Sequence, residues 1–582
     1  ADSMFVSTFT NSFGIKKITI NPVNHNLQNQ PRLMANIACD AVDISDVNLK
    51  MLYRTRKLPT RLIKITKPDV KLQYLTEIEK SKKQYETGLL FNLVTAYLKG
   101  VYSETVTVDE GLLNIQNLYR NNVTGYFETR FGFNLSGFSL DSASIQNTDK
   151  FFYATDFDLE FADYQMKLVD DLHKINVDRI SVVNTEKKVE IENLRLQPVV
   201  ENVSDSIMRQ FNRSELYNIS VPRITLLGVN LRNAFFYNKL NIASFKISDP
   251  KIYFENYGAL RTKKGQTEFA EFYQLLFNYI DDFNIGKIEI PNGGLTWVNH
   301  TRKGKTISFD NEFSATLENF RLNEKELEKK RLLFSDNFDI TVKDQIFQLS
   351  DSVHYLRAGE IRLSTAKSEV NINDASLYPL ITAKKYPELP ATFQVSIPQL
   401  HISHINFQKA FFSKELILDE LELNKPKFQV YSKSGAAKSL DLKKFKFLLP
   451  SFVSVLKVNE FRINQGEVLT FESVGLEQRA KSSFKVDLQI PAVSMANNQQ
   501  KQAEVQTENI VAILTDLKTP LGDSHKMRIG QIDFNRTKKS VAFNQLSINP
   551  ISRSKTENQF TISAPEINFS QFDINKALKE NH

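Results

Sequence analysis

The tightest constraint on this 582-residue chain is a spacing that occurs three times. Val47-Asn48-Leu49, Val229-Asn230-Leu231 and Ile405-Asn406-Phe407 each place an asparagine 20 residues before a proline, at Pro68, Pro250 and Pro426. After each proline, apolar residues take the second and fourth positions: Val70 and Leu72, Ile252 and Phe254, Phe428 and Val430. A second landmark keeps the same step. Alternating segments end at proline in ITINP, LRLQP, ASLYP and LSINP, at Pro22, Pro198, Pro379 and Pro550, spaced 176, 181 and 171 residues. Such periods imply one supersecondary unit copied along the chain, each copy completing the core of its neighbour. The expected organisation is the end of a preceding repeat in 1–36, repeats over 37–198, 199–379 and 380–550, and the start of a fourth in 551–582. APEINFSQFDINKA at 564–577 has the spacing of a repeat opening, so the chain reads as a window on a longer array.

Within a repeat the dominant pattern is period two, which gives a strand one apolar and one wet face. Ile224 and Leu226 in RITLL, Ile288 and Ile290 in KIEI, and Ala315 and Leu317 in SATLENFRL follow it. Nine to eleven strands of about five or six residues are expected per repeat. VNLRNAFFYNKLNIASFKISDPKIYF, residues 229–254, reads as several short strands whose rhythm slips. Leu240 and Ile242 share one parity, Phe245 and Ile247 the other; Leu416 and Leu418 give way to Leu421 and Leu423, and Leu58 to Ile63 and Ile65. A three-residue step turns every later side chain to the other face unless a bulge or bend absorbs it. A bend through Ala243 and Ser244 is therefore predicted.

One amphipathic helix per repeat is expected after the proline strand. Phe269, Phe272, Leu276, Tyr279 and Phe283 form a stripe at helical spacing, as do Leu442, Phe445, Leu449, Phe452 and Leu456, with Pro450 kinking the second. GLLFNLVTAYLKGV (88–101) is the counterpart in the first repeat. Next come VTVDEGLLNI, IEIPNGGLTWV and FRINQGEVLTF, where Gly111, Gly293 and Gly466 between alternating runs predict hairpin turns.

Composition narrows function by exclusion. Lys plus Arg number 74 against 67 Asp plus Glu, with no long basic block, so nucleic acid is not an expected partner. No apolar run is long enough to cross a bilayer, and ADSMFVSTFTNSFG lacks the pattern of a signal peptide. The single cysteine, Cys39, forms no intrachain disulfide and leaves the compartment open. Forty-three Phe beside one Trp supply large apolar area without a polar handle.

Candidate sites fail on geometry. His401 and His404 in HISH stand three apart in an alternating strand, on opposite faces, a poor pair of metal ligands. Asp523-Ser524-His525 holds the letters of a catalytic triad, but a triad converges from separated positions, so these are assigned to a loop. Asp156, Asp158 and Glu160 alternate with Phe157, Leu159 and Phe161 as the wet face of a strand, and NEKELEKKR (323–331) reads as a solvated helix or loop. No catalytic residue, metal or cofactor is expected.

The strand-proline-strand, helix, strand-glycine-strand order in LNIASFKISDPKIYF with IEIPNGGLTWV, in LILDELELNKPKFQV with FRINQGEVLTF, and in LPTRLIKITKPDVKL with VTVDEGLL resembles the AsmA-like, TamB/YhdP-like family of Gram-negative envelopes. That family is similar in outline to repeating β-groove, bridge-like lipid-transfer proteins. The resemblance implies an all-β-dominated fold: an elongated repeat array of short strands curled into an apolar groove, a β-taco, with one amphipathic helix per repeat. It also implies a non-enzymatic role in lipid transport between membranes, with phospholipid or other acyl chains in the groove and membranes at the ends of the full-length array. The implied setting is the periplasm, with attachment to the inner membrane through a segment absent here. Groove-lining positions expected on this basis are Ile65, Val70, Leu72, Ile224, Leu226, Phe245, Ile247, Ile252, Phe254, Ile288, Ile290, Leu421, Leu423, Phe428 and Val430. Some thirty strands at about 4.8 Å each give a span of roughly 140 Å before twist. A periplasmic scaffold or outer-membrane protein assembly factor, capturing envelope membrane proteins at a strand edge, is the alternative. A β-helical polysaccharide lyase is a third reading, disfavoured because the repeats share apolar rhythm but not polar identity.

Overall fold

The computed structural model describes the chain except residues 22–32, 75–93, 95, 120–121, 144–151, 169, 258–259, 261–279, 302–303, 324, 327–328, 330, 349–352, 381–390, 434–453, 475–476, 497–503, 506–508, 523, 552–558 and 572–582. It divides into two compact units, Ala1–Asp336 and Asn337–His582. Both are almost entirely β.

The first unit opens with β1 (Ser3–Ser7), β2 (Ser12–Ile20), β3 (Leu33–Ser45), helix α1 (Leu49–Thr55), β4 (Lys57–Thr66), β5 (Asp69–Tyr74), β6 (Gly100–Tyr119) and β7 (Asn122–Asp141). It continues with β8 (Asp156–Lys167), β9 (His173–Val183), β10 (Lys188–Pro198), α2 (Asp205–Gln210), β11 (Glu215–Leu227), α3 (Leu231–Tyr237), β12 (Lys239–Ser248), β13 (Lys251–Asn256), β14 (Asp282–Thr301) and β15 (Gly304–Leu322). The second unit holds β16 (Asn337–Gln348), β17 (His354–Ser364), β18 (Glu369–Pro379), β19 (Ala391–Ser403), α4 (Phe407–Ser413), β20 (Glu415–Asn424), β21 (Lys427–Lys433), β22 (Val455–Val474) and β23 (Glu477–Ala496). Then follow β24 (Glu504–Val505), β25 (Val511–Leu521), β26 (His525–Asn535), β27 (Ser540–Pro550) and β28 (Ile562–Ser570).

The strand order recurs. A three-strand meander is followed by one strand, one helical turn, a strand split in two by proline, and two long strands. The halves β4 and β5 both pair antiparallel with β3 and parallel with β6, and β12/β13 and β20/β21 do the same with their neighbours. At each split the proline carbonyl accepts a bond from the long parallel strand: Leu112 N to Pro68 O at 2.7 Å, Gly294 N to Pro250 O and Glu467 N to Pro426 O at 2.8 Å. A parallel pair needs a crossover connection. The segments expected to hold the apolar-striped helices occupy those crossovers and lie mostly outside the described residues. Phe283 and Leu456, read as the last members of those stripes, belong instead to β14 and β22.

Three other expectations need correction. The glycines Gly111, Gly293 and Gly466 do not reverse the chain: β6, β14 and β22 are each single 20-residue strands running through them. The register shifts by one residue at each, which makes them β-bulges. A side chain there meets the facing strand, since a Cβ on Gly111 falls 2.6 Å from the Phe131 ring and one on Gly293 2.8 Å from Phe313. Strands are consequently longer and fewer than expected. The stretch from 229 also opens as a helical turn, not a strand.

That turn explains the asparagine landmark. Asn48, Asn230 and Asn406 are N-caps whose side-chain oxygens accept from Met51 N at 2.9 Å, Asn233 N at 3.0 Å and Lys409 N at 3.0 Å. The residues before them, Val47, Val229 and Ile405, are buried, and Arg56, Asn238 and Lys414 close the turns in the left-handed conformation. Asn406→Ala is expected to lower the stability of the second unit by about 1 kcal/mol, read from its denaturant midpoint.

A crease crosses the strands of each unit. Lys17, Lys67, Glu110, Asp163, Asn193 and Asp249 in the first, and Asp344, Asp374, Lys425, Gln465, Asp516 and Gln545 in the second, have φ between 49° and 58° and are exposed. On this line the ladder skips a pair. Glu192–Arg223 and Leu194–Val221 flank Asn193 and Pro222; Asp374 with Pro398 and Gln545 with Pro565 are flanked the same way. A proline inside a paired strand is tolerated where no ladder hydrogen bond is made. Asn and Asp carry the left-handed conformation at lower cost than branched residues. Asn193→Val is expected to destabilise by about 1–2 kcal/mol, while Asn193→Gly changes the unfolding midpoint little.

Candidate functional site

Cross-strand register lines up the apolar parities into rows. In the first unit one row runs Ile15, Val42, Ile65, Val108, Phe133, Leu159, Val182, Val189, Leu226, Phe245, Ile288, Leu317, each paired with the next across twelve strands. At about 4.8 Å per strand this is roughly 50 Å of apolar surface without a polar member. Beyond the crease a second row runs Ala35, Leu72, Ile115, Phe127, Met166, Ile175, Leu196, Ile219, Ile252, Leu295. The second unit repeats the arrangement through Val342, Ile361, Ile372, Leu400, Leu423, Ile463, Leu488, Ala512, Phe534, Val541 and Phe569.

The remaining expected positions stand beside these rows. Ile224 pairs Ile247, Val70 lies between Ile37 and Leu113, and Ile290 pairs Ala315. Phe254 lies between Tyr217 and Trp297. Leu421 lies between Ile402 and Phe461, Phe428 between Val395 and Val468, and Val430 between Phe393 and Thr470. One residue along each strand the chemistry inverts, as in the row Glu160, Ser181, Glu190, Thr225, Lys246, Glu289, Thr316. Exposed ion pairs sit there, including Lys287–Glu289 at 2.6 Å, which holds the Lys287 ammonium above its usual range through a hydrogen bond and charge.

The rhythm slip is resolved without losing the face. In the second unit Leu416, Leu418 and Leu421 pack in one cluster with Val458, Phe461, Ile490 and Val493, although each pair straddles a three-residue step. Asp419 and Asn459, at the step, turn away and bond side chain to side chain at 2.7 Å. In the first unit the register skips Ala243, Gly286 and Asn319 in the same manner, and Asn319 has φ 53°. Gly286 is required there, since a Cβ on it falls 2.7 Å from the Ala243 carbonyl oxygen.

Half of the first row is buried, including Val108 at 3% and Ile288 at 8% exposure, while Ile65, Phe133 and Phe245 are half-buried. Among the described residues the strands of each unit form one ladder in which each strand pairs with its hydrogen-bonded neighbours. No pairing among the described residues joins β2 to β15 or β16 to β28, so neither ladder closes into a barrel. In the second repeat the margin turns polar: Glu215, Asn256 and Asn299 pair in register, Asn256 Nδ2 donates to Asn299 Oδ1 at 3.1 Å, and the Tyr217 hydroxyl donates to buried Glu215. On the other face Glu255 accepts from Tyr253 at 2.8 Å and Tyr257 at 2.7 Å. Burial and that hydrogen bond push the Tyr253 hydroxyl up to about 12.

A recurring histidine escaped the sequence reading. His173, His354 and His525 are all buried and begin β9, β17 and β26. Their spacings, 181 and 171, equal those of Pro198, Pro379 and Pro550, with which they pair in register. His173 Nε2 accepts from Tyr217 N at 3.1 Å and His525 Nε2 from Phe560 N at 3.3 Å, pinning a backbone group where β10 or β27 has ended. Asp170 orients His173 at 2.5 Å. Burial alone would raise the Asp170 carboxyl, but the hydrogen bond and charge of His173 outweigh it and hold it below its ordinary range. Its contribution to stability is therefore full at neutral pH and lost as pH falls through that lowered value. His525→Ala leaves the Phe560 N–H unpaired and is expected to cost about 1–3 kcal/mol, read by denaturant unfolding. His525 thus starts a strand rather than lying in a loop; Asp523 lies outside the described residues.

The other discounted groups fall as follows. His401 Nδ1 lies 2.7 Å from Asn371 Oδ1, and exposed His404 has left the strand with φ 53°. Asp158 and Glu160 line the wet face of β8. Glu326 in the charged run is buried and takes Lys329 at 2.7 Å and Arg331 at 3.2 Å, so that segment is not wholly solvated. Among the described residues no group of three or more His, Cys, Asp or Glu is placed to hold a metal, and no helix is long and apolar enough to cross a membrane. No protein-family model matches the chain, and no curated protein does.

Proposed function

We propose that the protein carries lipid, with acyl chains lying along the apolar rows and headgroups toward the polar margin. The observation that carries this reading is the unbroken apolar row across twelve strands. Such a row is costly in water, at about 25 cal/mol per Å² of apolar surface, unless something apolar occupies it. Acyl chains suit the geometry because each methylene kept from water contributes about 0.8 kcal/mol wherever along the row it lies. The crease supports a groove: a bend in every second strand on a common line, with exposed polar residues on one side and apolar residues of both halves on the other, curls the sheet toward its apolar face.

The family reading belongs with this proposal: an AsmA-like, bridge-like transfer protein working in the periplasm between membranes. Cys39 fits such a setting, being buried, with burial pushing its thiol up and its Sγ donating to Ala41 O at 3.1 Å. Solvent extracts of protein purified without strong detergent are expected to contain phospholipid in fixed proportion to protein by mass spectrometry. Extracts free of lipid contradict the reading.

A further inference from the structure

Three nearly fully exposed aromatic side chains stand on adjoining pieces at one rim of the first unit: Phe9 at 96%, Tyr53 at 91% and Tyr97 at 81%. They come from three separate pieces, the β1–β2 turn, α1, and the residues before β6, and backbone bonds tie the pieces together. Val47 N donates to Asn11 O and Lys99 N to Arg56 O, both at 2.7 Å. Lys50, Arg54, Arg56 and Lys99 are exposed around them, and none is ion-paired among the described residues. Residues 8–11, 47–57 and 96–100 contain no Asp or Glu, and the nearest acid in sequence, Asp46, is held by Arg61 at 2.5 Å. Single exposed apolar residues are ordinary; three at one rim, ringed by unpaired cations, are not.

We propose that this rim rests on the surface of an anionic lipid bilayer. Tyrosine places an apolar ring and a polar tip at the depth of headgroups, and lysine and arginine gain from anionic headgroups at the same depth. A bilayer, being planar and laterally fluid, accepts tips from separate loops without a matched register. The later helical turns carry a smaller set: α3 exposes Tyr237 beside Arg232 and Lys239, and α4 exposes Phe411 and Phe412 beside Lys409 and Lys414. The contact is thus local to the first repeat, and it does not depend on lipid in the apolar rows.

The test is co-sedimentation of the full chain with phosphatidylcholine vesicles, with and without phosphatidylglycerol. Binding is expected only to the anionic vesicles and is expected to fall with salt. Lys50→Gln with Arg54→Gln is expected to weaken it about thirtyfold, and Tyr53→Ser with Tyr97→Ser to weaken it further at unchanged melting temperature, since these side chains are exposed. Lipid extracted from the soluble protein stays the same in both variants, which separates this contact from carriage. Equal binding to both vesicle types, wild-type binding by the variants, or retention on a single-stranded oligonucleotide with none on vesicles each overturns it.

Discussion

Replacing Phe245 and Ile288 with lysine is expected to abolish lipid transfer. The two residues are paired in register in the middle of the row that crosses twelve strands, on parallel neighbours β12 and β14. Two ammonium groups there interrupt the row on adjacent strands, and an acyl chain passing them either buries a charge or leaves the lane. The loss in transfer between donor and acceptor vesicles is expected to exceed about tenfold, because even 1.4 kcal/mol of added barrier has that effect. Lys246→Ala with Glu289→Ala is the matched control, one residue along the same strands and on the opposite parity, and is expected to transfer at the wild-type rate. Ile288 is buried and Phe245 half-buried, so Phe245→Lys alone is the second variant, and the melting temperature of each is read beside its transfer rate.

Gly286→Val is expected to be the most destabilising single change in the first unit's ladder, at about 2–3 kcal/mol. Its Cβ would press on the Ala243 carbonyl oxygen, a backbone atom that moves only if β12 and β14 separate. Gly294, eight residues on in the same strand, provides the contrast: a Cβ there meets nothing within 4 Å. Gly294→Ala is expected to be neutral or stabilising by about 0.4–1 kcal/mol through the unfolded chain. Denaturant midpoints of the two variants compared with wild type check both statements.

The legible parts of the fold are those set by strand parity. Period-two alternation identified the faces of β11, β14 and β15 and every expected lining position falls in a strand, since alternation is a local property that pairing does not change. The asparagine-to-proline spacing was visible, but its cause was not, because LRNAFFY is too short to show helical period and only the cap distinguishes it. Glycine misled for a different reason. A glycine between two alternating runs serves a hairpin or a bulge equally well, and what decides at Gly111 is the Phe131 ring of the facing strand, which no local pattern contains. The slip at Ala243 was legible in one strand, but the crease, which passes through Asp249 instead, appears only when the strands are set side by side. The three histidines were within reach, since their spacings match those of the proline landmarks.

The most direct measurement of lipid carriage places a photo-crosslinking amino acid at single positions and identifies adducts by mass spectrometry after illumination in cells. Crosslinkers at Phe245, Ile252 and Phe428 are expected to acquire lipid, while one at Lys246, one residue from Phe245 and on the wet parity, is expected to acquire none. Lipid adducts at Lys246 as abundant as at Phe245, or adducts at none of the four, contradict the account.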